Sequence, residues 1–100
     1  FEGANMYRTY MIRANLIKCN LTEANMTLAN LTEANLIGAE MTKANITEVV
    51  MAGAIVSEKN WLMLLNEWNV KGAKEIQNLY RLVDESSEDQ SQFRLEKVVN

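Results

Sequence analysis

An apolar residue recurs at every fifth position over the first 56 residues of the chain. The column consists of Phe1, Met6, Met11, Leu16, Leu21, Met26, Leu31, Leu36, Met41, Ile46, Met51 and Val56. A helix repeats its faces about every 3.6 residues and a strand every two, so a spacing of five would wander round a helix and alternate between the faces of a strand. Neither element explains the pattern, which therefore requires a fold built from repeated short units.

A second column of mostly small residues precedes the first by two positions. It consists of Ala4, Thr9, Ala14, Cys19, Ala24, Ala29, Ala34, Ala39, Ala44, Val49 and Ala54. Asn usually stands between the columns, Thr usually follows the large residue, and the next position is mostly charged or Gly. Units this short bury their apolar residues only by stacking, so the pattern predicts a solenoid with two inward and three outward positions in each unit.

The repeat resembles that of the pentapeptide-repeat family, for example in ANMTL at 24–28 and ANLIG at 34–38. The resemblance implies an all-β solenoid, a right-handed quadrilateral β-helix in which four units form one coil and residues twenty apart stack. It covers residues 1–58, which corresponds to about three coils. Phe1 falls at the centre of a unit with no Met before it, as expected of a chain truncated at its N-terminus with further coils upstream.

The period ends after Val56, and residues 59–100 are predicted to form a C-terminal cap of α+β structure. Ser57 is a favourable N-cap for an amphipathic helix predicted over 58–70. Spacings of three and four predict a short second helix over 73–79. The candidate cap residues, which share one face of the first helix, are Trp61, Leu64, Leu65 and Trp68. They are expected to pack on the last coil around Ile46, Met51 and Val56, because a solenoid needs its open end covered.

Two short strands are predicted in the rest of the tail, at about 80–84 and 93–98. The polar, acidic run DESSEDQSQ between them is interpreted as a hairpin loop or a mobile stretch. The tail also resembles the C-terminal extensions of cyanobacterial pentapeptide-repeat proteins.

Several outward positions carry apolar residues and are candidates for an interface. Ile17 and Ile37 stand where other units have Thr, and Ile55 replaces an outward Asn. Tyr10 and Leu28 are further candidates on neighbouring sides. Exposed apolar patches usually mark a contact. Two alternatives remain for the Ile face: the C-terminal segment of the same chain covers it, or a partner or second copy binds there.

Residues 1–60 carry little of the net charge of -3, because they hold five basic and six acidic side chains. Some members of the family mimic DNA and bind type II topoisomerases through a strongly acidic surface, which must imitate about one negative charge per 1.7 Å of duplex. A nearly neutral surface disfavours that function. Stacking at twenty residues instead predicts exposed ion pairs of Arg13 with Glu33 and of Glu23 with Lys43.

The composition argues against catalysis and against cofactors. With no His and one Cys, an intrachain disulfide is excluded and a Cys/His metal site is disfavoured. No nucleophile-elbow or phosphate-loop glycine pattern occurs. Cys19 lies in the small inward column and is predicted to be a buried packing residue. The lack of a signal peptide or of an apolar run of about 20 residues predicts a cytoplasmic protein without membrane insertion.

Three functions remain open. The first is a non-enzymatic module for protein–protein interaction or scaffolding, which presents a rigid β-helical face to an unidentified partner. A homodimer or a larger assembly is compatible with this function. The second is a DNA-mimicking binder of type II topoisomerase, which acidic coils upstream of Phe1 would favour. The third is a non-catalytic regulatory domain of a larger multidomain protein. None of the three requires a cofactor, and none binds nucleic acid directly.

Overall fold

Each repeat folds into one tight turn. The computed structural model describes residues 1–98. The same turn occurs eleven times, with the N–H of the small residue donating to the carbonyl three positions earlier, as from Ala24 to Leu21 at 3.0 Å. The third residue of each turn, such as Glu23 with φ 59°, has a left-handed backbone conformation in all eleven turns. A type II turn requires this conformation at its third position, so the charged-or-Gly column is a column of turn residues.

The recurring Asn braces the turn that follows it. Its Oδ1 accepts the N–H of the residue two positions later, as from Thr47 to Asn45 at 3.1 Å, and the Thr47 hydroxyl donates to the same oxygen at 2.6 Å. The same main-chain bond is made to Asn5, Asn15, Asn20, Asn25, Asn30 and Asn35. The sequence pattern predicted only that Asn faces the solvent, but its side chain also forms a local turn with the backbone.

Replacing Asn45 by alanine is expected to lower the free energy of unfolding by about 1–2 kcal/mol, because two donors of Thr47 lose their acceptor at a half-buried position. Asn45→Asp keeps an oxygen at the same place and is expected to lose less. Urea unfolding of both variants measures the difference. An equal loss from alanine and aspartate would contradict the bracing role of the side-chain oxygen.

Residues twenty positions apart lie side by side. Seven isolated parallel bridges join such residues, from Asn5 with Asn25 to Asn35 with Ile55. Each bridge is a single residue, because the next turn begins directly after it. The chain therefore returns to the same place every twenty residues, and we refer to residues 1–20, 21–40 and 41–60 as the first, second and third coils.

The inward columns form the core. The residues of the large column with no exposed surface are Leu21, Met26, Leu31, Met41, Ile46, Met51 and Val56. Phe1, at the start of that column, is 63% exposed, so its predicted inward position is wrong. The small residues between them, including Ala24, Ala34 and Ala44, are equally buried. Cys19 is only half-buried, because no described residue stacks above the first coil, so the prediction of a buried thiol is wrong.

Within residues 1–98, one short strand ends the repeats, and two helices and two further strands follow. They are β1 (Ile55–Val56), α1 (Trp61–Glu67), α2 (Ala73–Leu79), β2 (Tyr80–Asp84) and β3 (Phe93–Lys97). The strands form one antiparallel sheet in the order β1-β3-β2. The acidic run connects β2 to β3, and the N–H of Glu85 donates to the carbonyl of Gln92 at 2.8 Å across it. Val99 and Asn100, the end of the predicted cap segment, lie outside the described residues.

Helix α1 is shorter at both ends than the helix predicted over 58–70. Ser57 does not cap it, because the Ser57 hydroxyl donates to the Glu58 carboxylate at 3.1 Å instead. At the other end the carbonyl of Trp68 accepts the N–H of Lys43 at 2.7 Å. A longer helix would direct that carbonyl along its own axis and lose the bond to the third coil.

Three parts of the tail contact the third coil through its main chain. Lys71 forms a parallel bridge with Asn45, in the manner of a residue in a further coil. β3 pairs with β1, and the N–H of Met51 donates to the hydroxyl of Tyr80 at 3.1 Å. These bonds satisfy main-chain groups that the third coil would otherwise leave open to edge-to-edge association.

Candidate interaction surfaces

Ile17 and Ile37 form one outward column, which we call the Ile surface. The N–H of Lys18 donates to the carbonyl of Ile37 at 2.9 Å, which sets Ile17 directly above Ile37. Asn15 and Asn35 brace these units as in the others, so isoleucine replaces the usual Thr without a change of backbone. Ile17 is 43% exposed and Ile37 is half-buried. The Ile surface therefore adds apolar area to the outside and none to the core.

Ile55 lies one coil below Asn35, beside the lower end of the Ile surface. It belongs to β1, pairs with Arg94 of β3 and is half-buried. The tail therefore covers the Ile55 end of this face and leaves Ile17 exposed.

The other two candidate interface residues lie in separate columns. Tyr10 is 80% exposed and bridges Asn30, which in turn bridges the half-exposed Val50. Leu28 lies in the column below Arg8 and is half-buried. Of the five candidates, only the two residues of the Ile surface stack directly on each other.

The four candidate cap residues divide into two pairs. Trp61 and Leu65 are 1% and 0% exposed and belong to the same buried cluster as the third-coil core, whereas Leu64 and Trp68 are half-buried. The candidate set omitted the other buried residues of the tail, which are Val70, Ala73, Ile76, Tyr80, Phe93 and Leu95. The alternation of Phe93 and Leu95 with charged residues was a sequence signal for a strand with one buried face.

Met63 is one exposed apolar residue of the tail that was not predicted from the sequence. Its side chain is 70% exposed on α1. Asn66 and Glu67 follow it at three and four positions, so Met63 lies on the polar side of the helix. That spacing was the available signal.

Only one of the two predicted ion pairs between coils forms. Arg13 Nε lies 3.2 Å from Glu33 Oε1, as the stacking predicts, with both side chains largely exposed. Within residues 1–98, Glu23 and Lys43 form no ion pair, so that prediction is wrong. An exposed pair contributes at most about 1 kcal/mol, which does not hold two long side chains together by itself.

Charged residues also pair across the β2–β3 hairpin. Arg81 Nη2 donates to Glu96 Oε1 at 2.6 Å, and Arg94 Nε donates to Glu85 Oε2 at 2.8 Å. The hydrogen bond from Arg81 holds the pKa of Glu96 below its ordinary value, and the hydrogen bond to Glu85 raises the pKa of Arg94. These exposed pairs favour one strand register and add little to the overall stability.

The stability of the hairpin is expected to decrease in acid. Because the folded pKa of Glu96 is lowered, its contribution is present above the unfolded pKa of about 4.3 and is lost as the pH falls through the folded pKa. Urea unfolding of the parent and of Glu96→Gln at neutral and acidic pH measures this. The variant is expected to show a smaller decrease in acid, and an identical decrease in both proteins would contradict the assignment.

Residues 1–98 contain neither a candidate metal-binding cluster nor a helix able to span a membrane. Among residues 1–98, no group of three or more His, Cys, Asp or Glu side chains could hold a metal ion. In the same part of the chain, neither of the seven-residue helices has the length and apolar character that crossing a bilayer requires.

The repeats match a known family. The family model of pentapeptide repeats matches residues 1–27, 9–47 and 24–58, with eight copies. Because these matches span more than half of its length, the chain belongs to the pentapeptide-repeat family, and the resemblance seen in the sequence is confirmed. Proteins of this family generally mediate protein interactions and are generally not enzymes. No curated protein and no solved structure matches the chain.

Proposed function

We propose that this protein is a non-enzymatic scaffold module that presents a rigid face of stacked repeats to a partner protein. In this proposal residues 1–58 form a right-handed, four-sided β-helix of about three coils, and residues 59–100 form its cap. The Ile surface carries the proposal. It places apolar side chains on the outside of a backbone that is otherwise regular, and exposed apolar patches usually mark contacts.

Rigidity is the physical advantage of such a module. Main-chain bonds run between successive coils, and the large inward residues of the second coil, Leu21, Met26 and Leu31, have no exposed surface. An interior packed at crystal-like density resists deformation. The Ile surface is therefore held in one arrangement before binding, which reduces the conformational entropy lost in the complex.

The proposal is tested by affinity capture from the source organism at moderate salt, with identification of bound proteins by mass spectrometry. The bait is the full chain, compared with the double variant Ile17→Asp/Ile37→Asp. A stoichiometric partner is expected with the parent and is expected to be lost with the double variant, because two carboxylates would have to be desolvated in the contact.

The matched control is Thr22→Asp/Thr42→Asp, which places the same charges one unit further along the chain on outward, half-buried positions. This control should retain the partner. A partner that survives the Ile double variant would contradict the Ile surface as the binding face. Recovery of a type II topoisomerase in that case would favour the DNA-mimicking alternative.

A further inference from the structure

Strand β2 has a free outer edge. The N–H of Leu95 donates to the carbonyl of Ala54 at 2.8 Å, and the carbonyl of Leu95 accepts the N–H of Gly53 at 2.7 Å, so both main-chain groups of Leu95 point away from β2. Leu82 is the cross-strand partner of Leu95. In an antiparallel pair that is not hydrogen-bonded, both residues direct their main-chain groups outward. The N–H and carbonyl of Leu82 therefore face away from β3, and no other strand of residues 1–98 pairs with that edge.

An open groove of about 620 Å³ runs along this edge. Leu62 and Met63 of α1 line one wall, and Tyr80 and Leu82 of β2 line the other. Tyr80 is buried, Leu62 and Leu82 are half-buried, and Met63 is largely exposed at the rim. An unpaired strand beside an apolar groove has the two components of peptide recognition by strand addition, in which main-chain bonds provide affinity and alternate side chains enter pockets.

The charged residues that line the groove are both basic. They are Lys59 and Arg81, and no acidic side chain lines it. Arg81 is paired with Glu96, whereas Lys59 is exposed and forms no ion pair within the described part of the chain. Asp84 at the end of β2 lies within electrostatic range of Lys59 but does not line the groove and forms no ion pair with it. Within the groove, charge complementarity therefore favours an acidic occupant near Lys59.

We propose that the β2 groove binds an extended peptide segment of a partner protein, which adds as a strand to β2, inserts an apolar side chain between Met63 and Leu82, and places a carboxylate near Lys59. This goes beyond the proposed scaffold function, because the groove lies in the cap and the Ile surface lies on the repeats. A second copy of the chain fits less well. Pairing two β2 edges would bring Lys59 of both copies to one seam, and Lys59 has no ion pair within residues 1–98 to compensate its charge.

The test uses the full chain as bait for a phage-displayed library of random dodecapeptides. Enriched peptides are expected to alternate apolar residues with Asp or Glu. Repeating the selection on Lys59→Glu is expected to remove the acidic preference. In the parent protein, binding of the enriched peptides is expected to slow hydrogen exchange at the amide of Leu82.

Leu82→Pro and Leu82→Ala form the matched pair for the main-chain contact. Both shorten or remove the leucine side chain, but only proline removes the outward N–H, and proline is tolerated at such an edge. We expect the proline variant to bind the enriched peptides about tenfold more weakly than the alanine variant, as for the loss of one hydrogen bond. Met63→Glu changes only an exposed side chain and is expected to weaken binding without affecting folding, so it tests the groove even if the proline variant does not fold.

Several outcomes would overturn the proposal. The first is a selection that enriches no peptide, and the second is enriched peptides that leave the Leu82 amide unprotected. The third is a Met63→Glu variant that binds the peptides with the affinity of the parent. The fourth is a parent protein that sediments as a dimer, with the dimer stabilised by Lys59→Glu. Ile17→Asp is expected to bind the peptides as the parent does. A parent protein that binds the enriched peptides but captures no partner would count against the Ile surface alone. A parent protein whose captured partner depends on Ile17 and Ile37 but which binds no peptide would count against the groove alone.

Discussion

Substituting Gly72 by alanine is expected to lower the melting temperature by more than about 10 °C. Gly72 has φ 90°, in the left-handed region, which costs a residue with a Cβ about 1–2 kcal/mol. A Cβ at this position would lie 2.8 Å from the nitrogen and 2.9 Å from the Cα of Thr47. These are main-chain atoms of the third coil and cannot rotate away, so the strain of overpacking adds about 1–3 kcal/mol.

The structural consequence of Gly72→Ala is expected at the lower edge of the third coil. Relief of the contact would move Lys71 and α2 away from Asn45, which would break the parallel bridge between Lys71 and Asn45. The exposed edge would then favour association between molecules. Light scattering measures the association, and hydrogen exchange at the amide of Ile46, which donates to the Lys71 carbonyl at 2.8 Å, measures the opening.

Gly3→Ala is the matched control. Gly3 also has a positive φ, of 66°, but no atom within 4 Å of an added Cβ. It should show only the conformational cost of about 1–2 kcal/mol and no association. Equal melting temperatures for the two alanine variants would refute the role of Gly72 as the point of close approach.

A lysine in place of Leu31 is expected to abolish the cooperative thermal transition. Leu31 has no exposed surface and lies in the second coil, with repeats above and below it. The new ammonium group would have no acidic partner among the apolar inward columns. The cost of burying it is comparable to a whole folding free energy of about 5–15 kcal/mol. Circular dichroism on heating and the dispersion of amide proton shifts measure the outcome.

Glu23→Lys introduces the same charge on the outside and serves as the control. Glu23 is exposed and forms no ion pair within residues 1–98. Its variant should melt close to the parent. A Leu31→Lys protein that also melts cooperatively near the parent temperature would show that residue 31 does not point inward.

The inward columns could be predicted because burial acts directly on side-chain identity. Leu31 and Ala34 follow a period of five for the same reason that they have no exposed surface, since stacked units leave a large and a small space in each turn. The predicted pair of Arg13 with Glu33 was correct for the same reason, as it depends only on the twenty-residue stacking. The failed pair of Glu23 with Lys43 shows that stacking brings columns together but does not fix exposed side chains.

The candidate surfaces were only partly predictable. Ile17 and Ile37 were identifiable because they break an otherwise polar column, and the structure stacks them directly. Tyr10 and Leu28 were identified by the same rule but lie in other columns. The β2 groove had no counterpart in the sequence analysis, because its free edge follows from the strand order β1-β3-β2.

The repeat, the family and, apart from Phe1, the large inward column could be deduced from the amino-acid sequence. Each of these depends on side-chain size and polarity, which the sequence states. The end of α1, the tail segments that close the third coil and the strand edge that stays free could be seen only in the folded structure. Those features depend on main-chain hydrogen bonds, such as the bond from Lys43 to Trp68 and the bond from Leu95 to Ala54. Every residue except proline carries the same main-chain donor and acceptor, so the choice among partners leaves little trace in the amino-acid sequence.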